Sequence, residues 1–170
     1  MSRKPINGKM LFSHAGIALL CLFISFNVFF FGNYPVLEVI IQIILTALVL
    51  ILYWGYFYLD FYNKAKVDIV NKEYDQMYPL RCNTLLLLVT MGIYLFQLFL
   101  PENYMNLVFN FWMSPYVFIY SWVGQNIFVK LVSIFILPFF CWLGYRTARS
   151  GNNLFKKLSD KLLVLVYQKK

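Results

Sequence analysis

Four stretches of this chain are apolar over a length that can cross a lipid bilayer. They cover residues 10–31, 35–59, 82–100 and 127–145. A membrane-spanning helix requires about 20 predominantly apolar residues. The strands of a membrane barrel would instead alternate polar and apolar residues with a period of two. We therefore expect an all-α integral membrane protein, a four-transmembrane-helix bundle in which residues 1–170 form a single membrane domain.

The second apolar stretch continues into a charged segment. Between residues 60 and 77, apolar residues recur at helical spacing, and polar residues such as Lys64 and Asp68 fall between them. This pattern predicts an amphipathic helical continuation that ends at Pro79, because the residue before a proline disfavours the helical conformation. Asn83 is then the predicted N-cap of the third span.

The segment between the third and fourth spans is amphipathic rather than uniformly polar. In residues 102–124, asparagines recur at spacings of three and four, and aromatic residues cover the rest. We expect an external interfacial helix in the outer headgroup region, followed by a shallow apolar return. The alternative is a re-entrant hairpin, since the return over residues 116–123 is too short to span the bilayer.

The C-terminal tail has a second amphipathic pattern. In residues 152–167, leucine and valine recur at helical spacing, while Lys156, Lys157 and Lys161 lie on the other side. The pattern predicts a cytoplasmic basic amphipathic helix that lies on the membrane surface or docks on a partner.

Charge distribution predicts the orientation of the bundle. The chain is 61% hydrophobic and 13% charged, with a formal net charge of +8. Fourteen of its fifteen basic residues lie in the N-terminus, the segment after the second span and the tail, which four spans place on one side. Cytoplasmic loops are enriched in Lys and Arg. We therefore expect a multi-pass protein of the cell (inner) membrane with both termini cytoplasmic, and no nucleic-acid partner.

Five polar residues within the apolar stretches form a candidate outer cluster. At 1.5 Å per residue, four of them lie at a similar depth about one helical turn below the outer surface, with the fifth one turn deeper. They are Asn27, Glu38, Gln42, Gln97 and Lys130. If Glu38 and Lys130 face inward and pair, they would form a polar pocket for a ligand. Alternatively, both long side chains extend to the nearby interface.

A second candidate cluster lies near the cytoplasmic ends of the spans. His14, Asp60 and Arg146 are expected at similar depth, and His14 with Asp60 could relay protons. The alternative is a histidine at headgroup level without a special role.

The sequence contains no recognisable catalytic set. Metalloprotease, nucleophile-elbow and nucleotide-binding motifs are absent from the sequence, and a single histidine without a cysteine cluster predicts no metal and no cofactor. Lys130 and Ser133 are three residues apart on one predicted helix, a spacing that a Ser–Lys nucleophile could use, although any membrane helix can offer it.

Three functional hypotheses remain. The first is a non-enzymatic protein that acts by binding another membrane protein or a second copy of itself, as an accessory subunit, assembly factor or immunity-type protector of a membrane complex. The second is a small transporter or channel component that uses the outer polar cluster. The third is a membrane-embedded enzyme acting on lipid.

Overall fold

The chain folds into helices throughout the part that is described. A computed structural model describes residues 8–28, 35–99, 102–116, 119–120, 123, 126–151, 153 and 157. Its helices are α1 (Lys9–Val28), α2 (Pro35–Val70), α3 (Tyr78–Phe99), α4 (Glu102–Trp112) and α5 (Ile127–Arg149), with a 3-10 turn at Ser114–Tyr116. These residues include no β-strand.

Three of the helices are long and apolar enough to cross a membrane. They are the segments Val39–Val70 of α2, Tyr78–Gln97 of α3 and Ile127–Arg149 of α5. Large apolar side chains such as Phe96 and Phe139 point outward from them, as expected where lipid is the solvent. The described residues are therefore all-helical, and the three long apolar helices support a membrane protein. The segment Lys9–Ile24 of α1 is a shorter apolar helix, so the fourth span remains a prediction.

Helices α2 and α5 run in the same direction and form the closest packing in the bundle. Trp54 of α2 stacks on Phe140 of α5, with ring centroids 5.0 Å apart and planes 9° from parallel. One helical turn further along both helices, Gly144 of α5 lies directly against the backbone of Tyr58. Because glycine has no side chain, the two helix backbones approach closely at this point.

Helix α4 folds back along α3 instead of lying flat outside the bundle. Trp112, at the end of α4, donates a hydrogen bond of 2.9 Å to Thr90 in the middle of α3. The turn that follows is buried against α1 and α2. Hydrogen bonds thus join the end of α4 and the following turn to three helices of the bundle. We call residues 102–116, which fold back along α3, the hairpin. Whether this segment is interfacial or re-entrant with respect to the membrane stays a prediction.

Helix α2 ends earlier than the sequence pattern indicated. The predicted continuation to Pro79 is wrong, because the helix stops at Val70 and residues 71–77 form a turn. The Glu73 N–H donates to the Asp68 carbonyl, the Lys72 N–H donates to the Ile69 carbonyl, and Lys72 has a φ of 58°. This is the Schellman arrangement, which normally has glycine at the left-handed position.

The following helix begins earlier than predicted. Helix α3 starts at Tyr78, so Asn83 is an interior residue and its predicted role as N-cap is wrong. Its buried amide donates to the Pro79 carbonyl at 2.8 Å and lies near the Cys141 sulfur of α5. Pro79 fits the first turn because the backbone N–H it lacks has no helical partner there. Helix α5 also continues past its predicted end at residue 145, to Arg149.

The face of α2 predicted to be polar is turned inward at one position. Asp68 is 1% exposed, whereas the apolar residues Val67 and Val70 point outward. Asp68 contacts Lys64 and accepts a 2.9 Å hydrogen bond from the Tyr145 hydroxyl of α5. A buried carboxylate needs such partners, and this network determines which side of α2 packs against α5.

Charged residues from the three basic segments meet at one end of the bundle. Lys9 at the start of α1 pairs with Asp60 of α2 at 3.0 Å, and Arg81 of α3 pairs with Asp75 of the turn. Arg149 at the end of α5 lies over the ring of Tyr74. We call this region the basic end. The tail 152–167 lies outside the described residues apart from Asn153 and Lys157, so its predicted helix stays a prediction.

Candidate polar site inside the bundle

His14 of α1 forms a hydrogen bond with Trp112, the last residue of α4. Its Nε2 lies 3.0 Å from the carbonyl oxygen of Trp112. Because a carbonyl can only accept, Nε2 carries the proton, and Nδ1 of the neutral ring accepts from the Tyr53 hydroxyl of α2. The histidine thus satisfies a carbonyl at the end of α4, where no helical partner exists.

Three further hydrogen bonds fix the hairpin tip, which we define as residues 112–116. The Ser114 hydroxyl donates to the Ala18 carbonyl of α1 at 2.6 Å. The Trp54 indole of α2 donates to the Tyr116 hydroxyl at 3.0 Å, and Trp112 donates to Thr90 of α3. The tip is therefore held by α1, α2 and α3 together.

A second cluster surrounds Phe109, about one turn before the tip on α4. The ring centroid of Phe109 lies 5.9 Å from that of Tyr94 on α3 and 6.0 Å from that of Tyr120. The ammonium group of Lys130 on α5 lies 5.2 Å from the same ring, within cation–π distance. We call Tyr94, Phe109, Asn110, Tyr120 and Lys130 the Phe109 cluster.

Several polar atoms of this cluster are buried without a protein partner. The Tyr94 hydroxyl and Oδ1 of Asn110 make no hydrogen bond within the described residues, and the Tyr120 hydroxyl has only the Ser133 hydroxyl beside it, outside good hydrogen-bond geometry. Leaving such a group unsatisfied costs about 1–3 kcal/mol. Water or a polar solute between α3, α4 and α5 would remove that cost. Hydroxyl, amide and ammonium groups can together both donate and accept hydrogen bonds there.

The structure brings part of the predicted outer cluster to this place. Lys130 is 6% exposed and belongs to the Phe109 cluster. Gln97 follows Tyr94 by three residues on α3, so the two share a helix face. Gln42 lies on α2, where its carbonyl accepts a 2.6 Å hydrogen bond from Thr46. The side chains of Asn27 and Glu38 lie outside the described residues, so the Glu38–Lys130 pair remains untested.

The predicted inner cluster is dispersed. Both ring nitrogens of His14 are used by Tyr53 and Trp112, which leaves neither for Asp60. Asp60 instead pairs with Lys9. Arg146 is exposed, and its guanidinium lies 4.9 Å from the ring centroid of Trp142.

Neither a nucleophile pair nor a metal site is assembled in the described part of the chain. The Ser133 hydroxyl donates a hydrogen bond of 2.9 Å to the Val129 carbonyl of its own helix. No three His, Cys, Asp or Glu side chains come together among the described residues. Lys156 and Lys161 lie outside these residues, and Lys157 is exposed.

Sequence reasoning missed the contribution of the hairpin to the site. Phe109, Asn110 and Tyr120 belong to the segment predicted to be interfacial, where aromatic residues are common. The available signal was Ser114 next to Pro115, which breaks the helix in the middle of an otherwise apolar segment and supplies a hydroxyl there.

Comparison with known proteins adds no relative: no family model, no curated protein and no solved structure matches this chain.

Proposed function

We propose that this protein is a small transporter or channel component that admits a polar solute to the Phe109 cluster. The observation that carries the proposal is that the Tyr94 hydroxyl and Oδ1 of Asn110 are buried without a partner within the described residues, while the Tyr120 hydroxyl has only the Ser133 hydroxyl beside it. Polar groups inside a membrane protein are costly and commonly mark solute or ion pathways. The neighbouring Lys130 and the phenol donors favour an anionic or strongly polar neutral solute.

The proposed topology has four spans, α1, α2, α3 and α5, in the cell (inner) membrane. The basic end faces the cytoplasm. Basic residues from both ends of the chain gather at this end, as the positive-inside rule requires. Residues 102–126 then form a re-entrant hairpin that enters from the outside. Irregular backbone is tolerated at membrane depth where it is surrounded by protein, which is the situation of the tip. Four helices enclose little pathway, so we expect self-association.

Two substitutions that each remove a tyrosine hydroxyl test whether the Phe109 cluster contains water or a solute. In a dry core, Tyr94→Phe and Tyr120→Phe would remove unsatisfied groups and raise the melting temperature of the purified protein. In a hydrated or solute-filled site, the same changes remove hydrogen bonds and lower it. We expect a decrease. Tyr62→Phe, at a buried stacked tyrosine near the basic end, is the control for loss of a hydroxyl elsewhere.

Solute flux tests the function itself. Proteoliposomes are exposed to hyperosmotic glycerol, potassium chloride or sodium phosphate, and reswelling is followed by light scattering. We expect one of these solutes to enter faster than in empty liposomes and Lys130→Met to slow its entry. Lys66→Met, which removes an exposed charge at the basic end, should leave the rate unchanged. Equal rates for Lys130→Met and the unmodified protein would contradict the proposal.

The topology is tested by labelling introduced cysteines in intact cells. Val123→Cys lies at an exposed position after the tip, near the proposed outer end of the re-entrant segment, and Lys72→Cys lies in the turn after α2. A membrane-impermeant maleimide should modify the first and spare the second. Reversed labelling would overturn the orientation.

A second candidate function is binding of another membrane protein or of a second copy, as the sequence suggested. It is favoured by apolar side chains left exposed beside the charges of the basic end. Val70 is 80% exposed and Met77 60% exposed, with Val67 and Leu80 also exposed. If the proposed topology holds, these residues lie beyond the hydrocarbon core, where an exposed apolar patch indicates an interaction site.

Co-purification in mild detergent tests the second candidate. Val70→Ser with Met77→Ser should release a partner or dissociate a dimer if this patch is an interface. The matched change Val123→Ser removes exposed apolar surface elsewhere and should have no effect. An unmodified protein that elutes alone and monomeric from its native membrane would exclude the second candidate.

A further inference from the structure

A cavity of about 260 Å³ opens at the basic end between α5 and the turn after α2. It is lined by Tyr74, Gln76, Trp142, Tyr145, Arg146 and Arg149. Its lining is rich in hydrogen-bond donors: two guanidinium groups, a carboxamide, an indole and the Tyr74 phenol, since the Tyr145 phenol already donates to Asp68. It lies apart from the Phe109 cluster, at the opposite end of α5 from Lys130.

The charge of this cavity is not neutralised by the protein within the described residues. At the same end, Lys9, Lys64 and Arg81 each pair with an aspartate. Arg146 and Arg149 instead lie over aromatic rings, 4.9 Å from the Trp142 centroid and 5.8 Å from the Tyr74 centroid, and neither has a described carboxylate within 4.0 Å. Stacking on a ring fixes the guanidinium plane while its N–H groups remain available.

An apolar stripe leads from the cavity along the outside of α5. Phe135 and Phe139 are exposed on the same helix face as Trp142, at spacings of four and three residues. The rings of Phe139 and Trp142 are in contact, 6.0 Å apart. A ligand that fits both features has an anionic head and a hydrocarbon chain.

We propose that this cavity binds the phosphate of an anionic phospholipid, whose acyl chains lie along Phe135 and Phe139. Arginine guanidinium groups match phosphate oxygen atoms in geometry and charge. Trp142 lies where the head meets the chains, the depth at which indole rings are favoured in membranes. The cavity recognises phosphate, and the stripe selects a lipid over a soluble phosphate compound.

Binding of short-chain lipids to the full-length protein in detergent tests the proposal. The probes are dioctanoyl phosphatidylglycerol, dioctanoyl phosphatidylcholine and inorganic phosphate, with complexes counted by native mass spectrometry. We expect phosphatidylglycerol to bind at least about tenfold more tightly than the other two probes, since each nearby basic residue contributes to attraction of anionic lipid. If inorganic phosphate binds as tightly as phosphatidylglycerol, the cavity is a site for soluble phosphates. If phosphatidylcholine binds as tightly as phosphatidylglycerol, the negative charge of the lipid does not determine binding. Either result overturns the proposal.

Charge-matched variants locate the site. Arg146→Gln with Arg149→Gln should reduce phosphatidylglycerol affinity by about tenfold or more. Lys66→Gln with Lys72→Gln removes the same charge from exposed positions at the same end and should change it less than about twofold. Equal losses in both double variants would reduce the effect to net charge and refute a specific cavity. If the arginine variant does not fold, Phe135→Ala with Phe139→Ala tests the stripe, and unchanged selectivity for phosphatidylglycerol over inorganic phosphate would refute it.

Discussion

A side-chain carbon placed on Gly144 of α5 would lie 2.2 Å from the carbonyl oxygen of Tyr58 on α2. The nearest atoms all belong to the Tyr58 backbone, which cannot move without displacing the helix. This single position therefore sets the separation of the two helices. It also places Tyr58 so that its hydroxyl meets Thr147 at 2.8 Å.

We expect Gly144→Ala to destabilise the protein by about 1–3 kcal/mol, because overpacking forces the helices apart. The measurement is the shift in thermal unfolding of the detergent-solubilised protein. Gly92→Ala is the matched control, since nothing lies within 4 Å of its added carbon. The control should be neutral or stabilising, because alanine favours helix by about 0.5–1 kcal/mol over glycine. Similar destabilisation by both changes would contradict close α2–α5 packing.

The end of α2 predicts a stabilising substitution. Lys72 occupies the left-handed position of the Schellman motif with a φ of 58°, a conformation that costs a non-glycine residue about 1–2 kcal/mol. Lys72→Gly should therefore raise stability by up to about 1 kcal/mol, after the greater backbone entropy of glycine is deducted. Lys66→Gly makes the same chemical change inside α2 and should lower stability by about 1 kcal/mol. If both changes are destabilising, the turn at 71–77 is not formed as described.

The apolar pattern predicted the helices better than it predicted their ends and rotations. Lengths near 20 residues identified three spans, because bilayer thickness constrains them directly. The end of α2 was missed because a lysine occupies the position where glycine is the usual signal. The packing of the hairpin against three helices was not predicted because amphipathic segments at the interface and inside a polar bundle have the same composition. Apolar side chains in a membrane protein can face lipid, and polar ones can face the protein interior. The charge of Asp68 therefore did not indicate whether it is buried.

Two aspartates on α2 predict different responses to the same substitution. Asp68 is 1% exposed and contacts both Lys64 and Tyr145, whereas Asp60 pairs with Lys9 at an exposed position. We expect Asp68→Asn to cost about 2 kcal/mol, less than the 3–5 kcal/mol for a fully buried pair because Lys64 is partly exposed. Asp60→Asn should cost below about 1 kcal/mol. Chemical unfolding of both variants in the same detergent gives the comparison, and equal costs would place Asp68 in solvent.

The bond between His14 and Tyr53 predicts a measurable coupling between α1 and α2. His14→Leu and Tyr53→Phe each remove one side of it, and His14→Leu also leaves the Trp112 carbonyl without its donor. In a double-mutant cycle on thermal stability, we expect the two changes to be non-additive by about 0.5–1.5 kcal/mol. His14→Leu combined with Tyr58→Phe is the control, because the Tyr58 hydroxyl bonds Thr147 of α5. That pair should add within about 0.5 kcal/mol. Additivity in both cycles would mean that His14 does not connect the hairpin tip to α2, and the tip would then depend on the hydrogen bonds of Ser114, Trp112 and Tyr116.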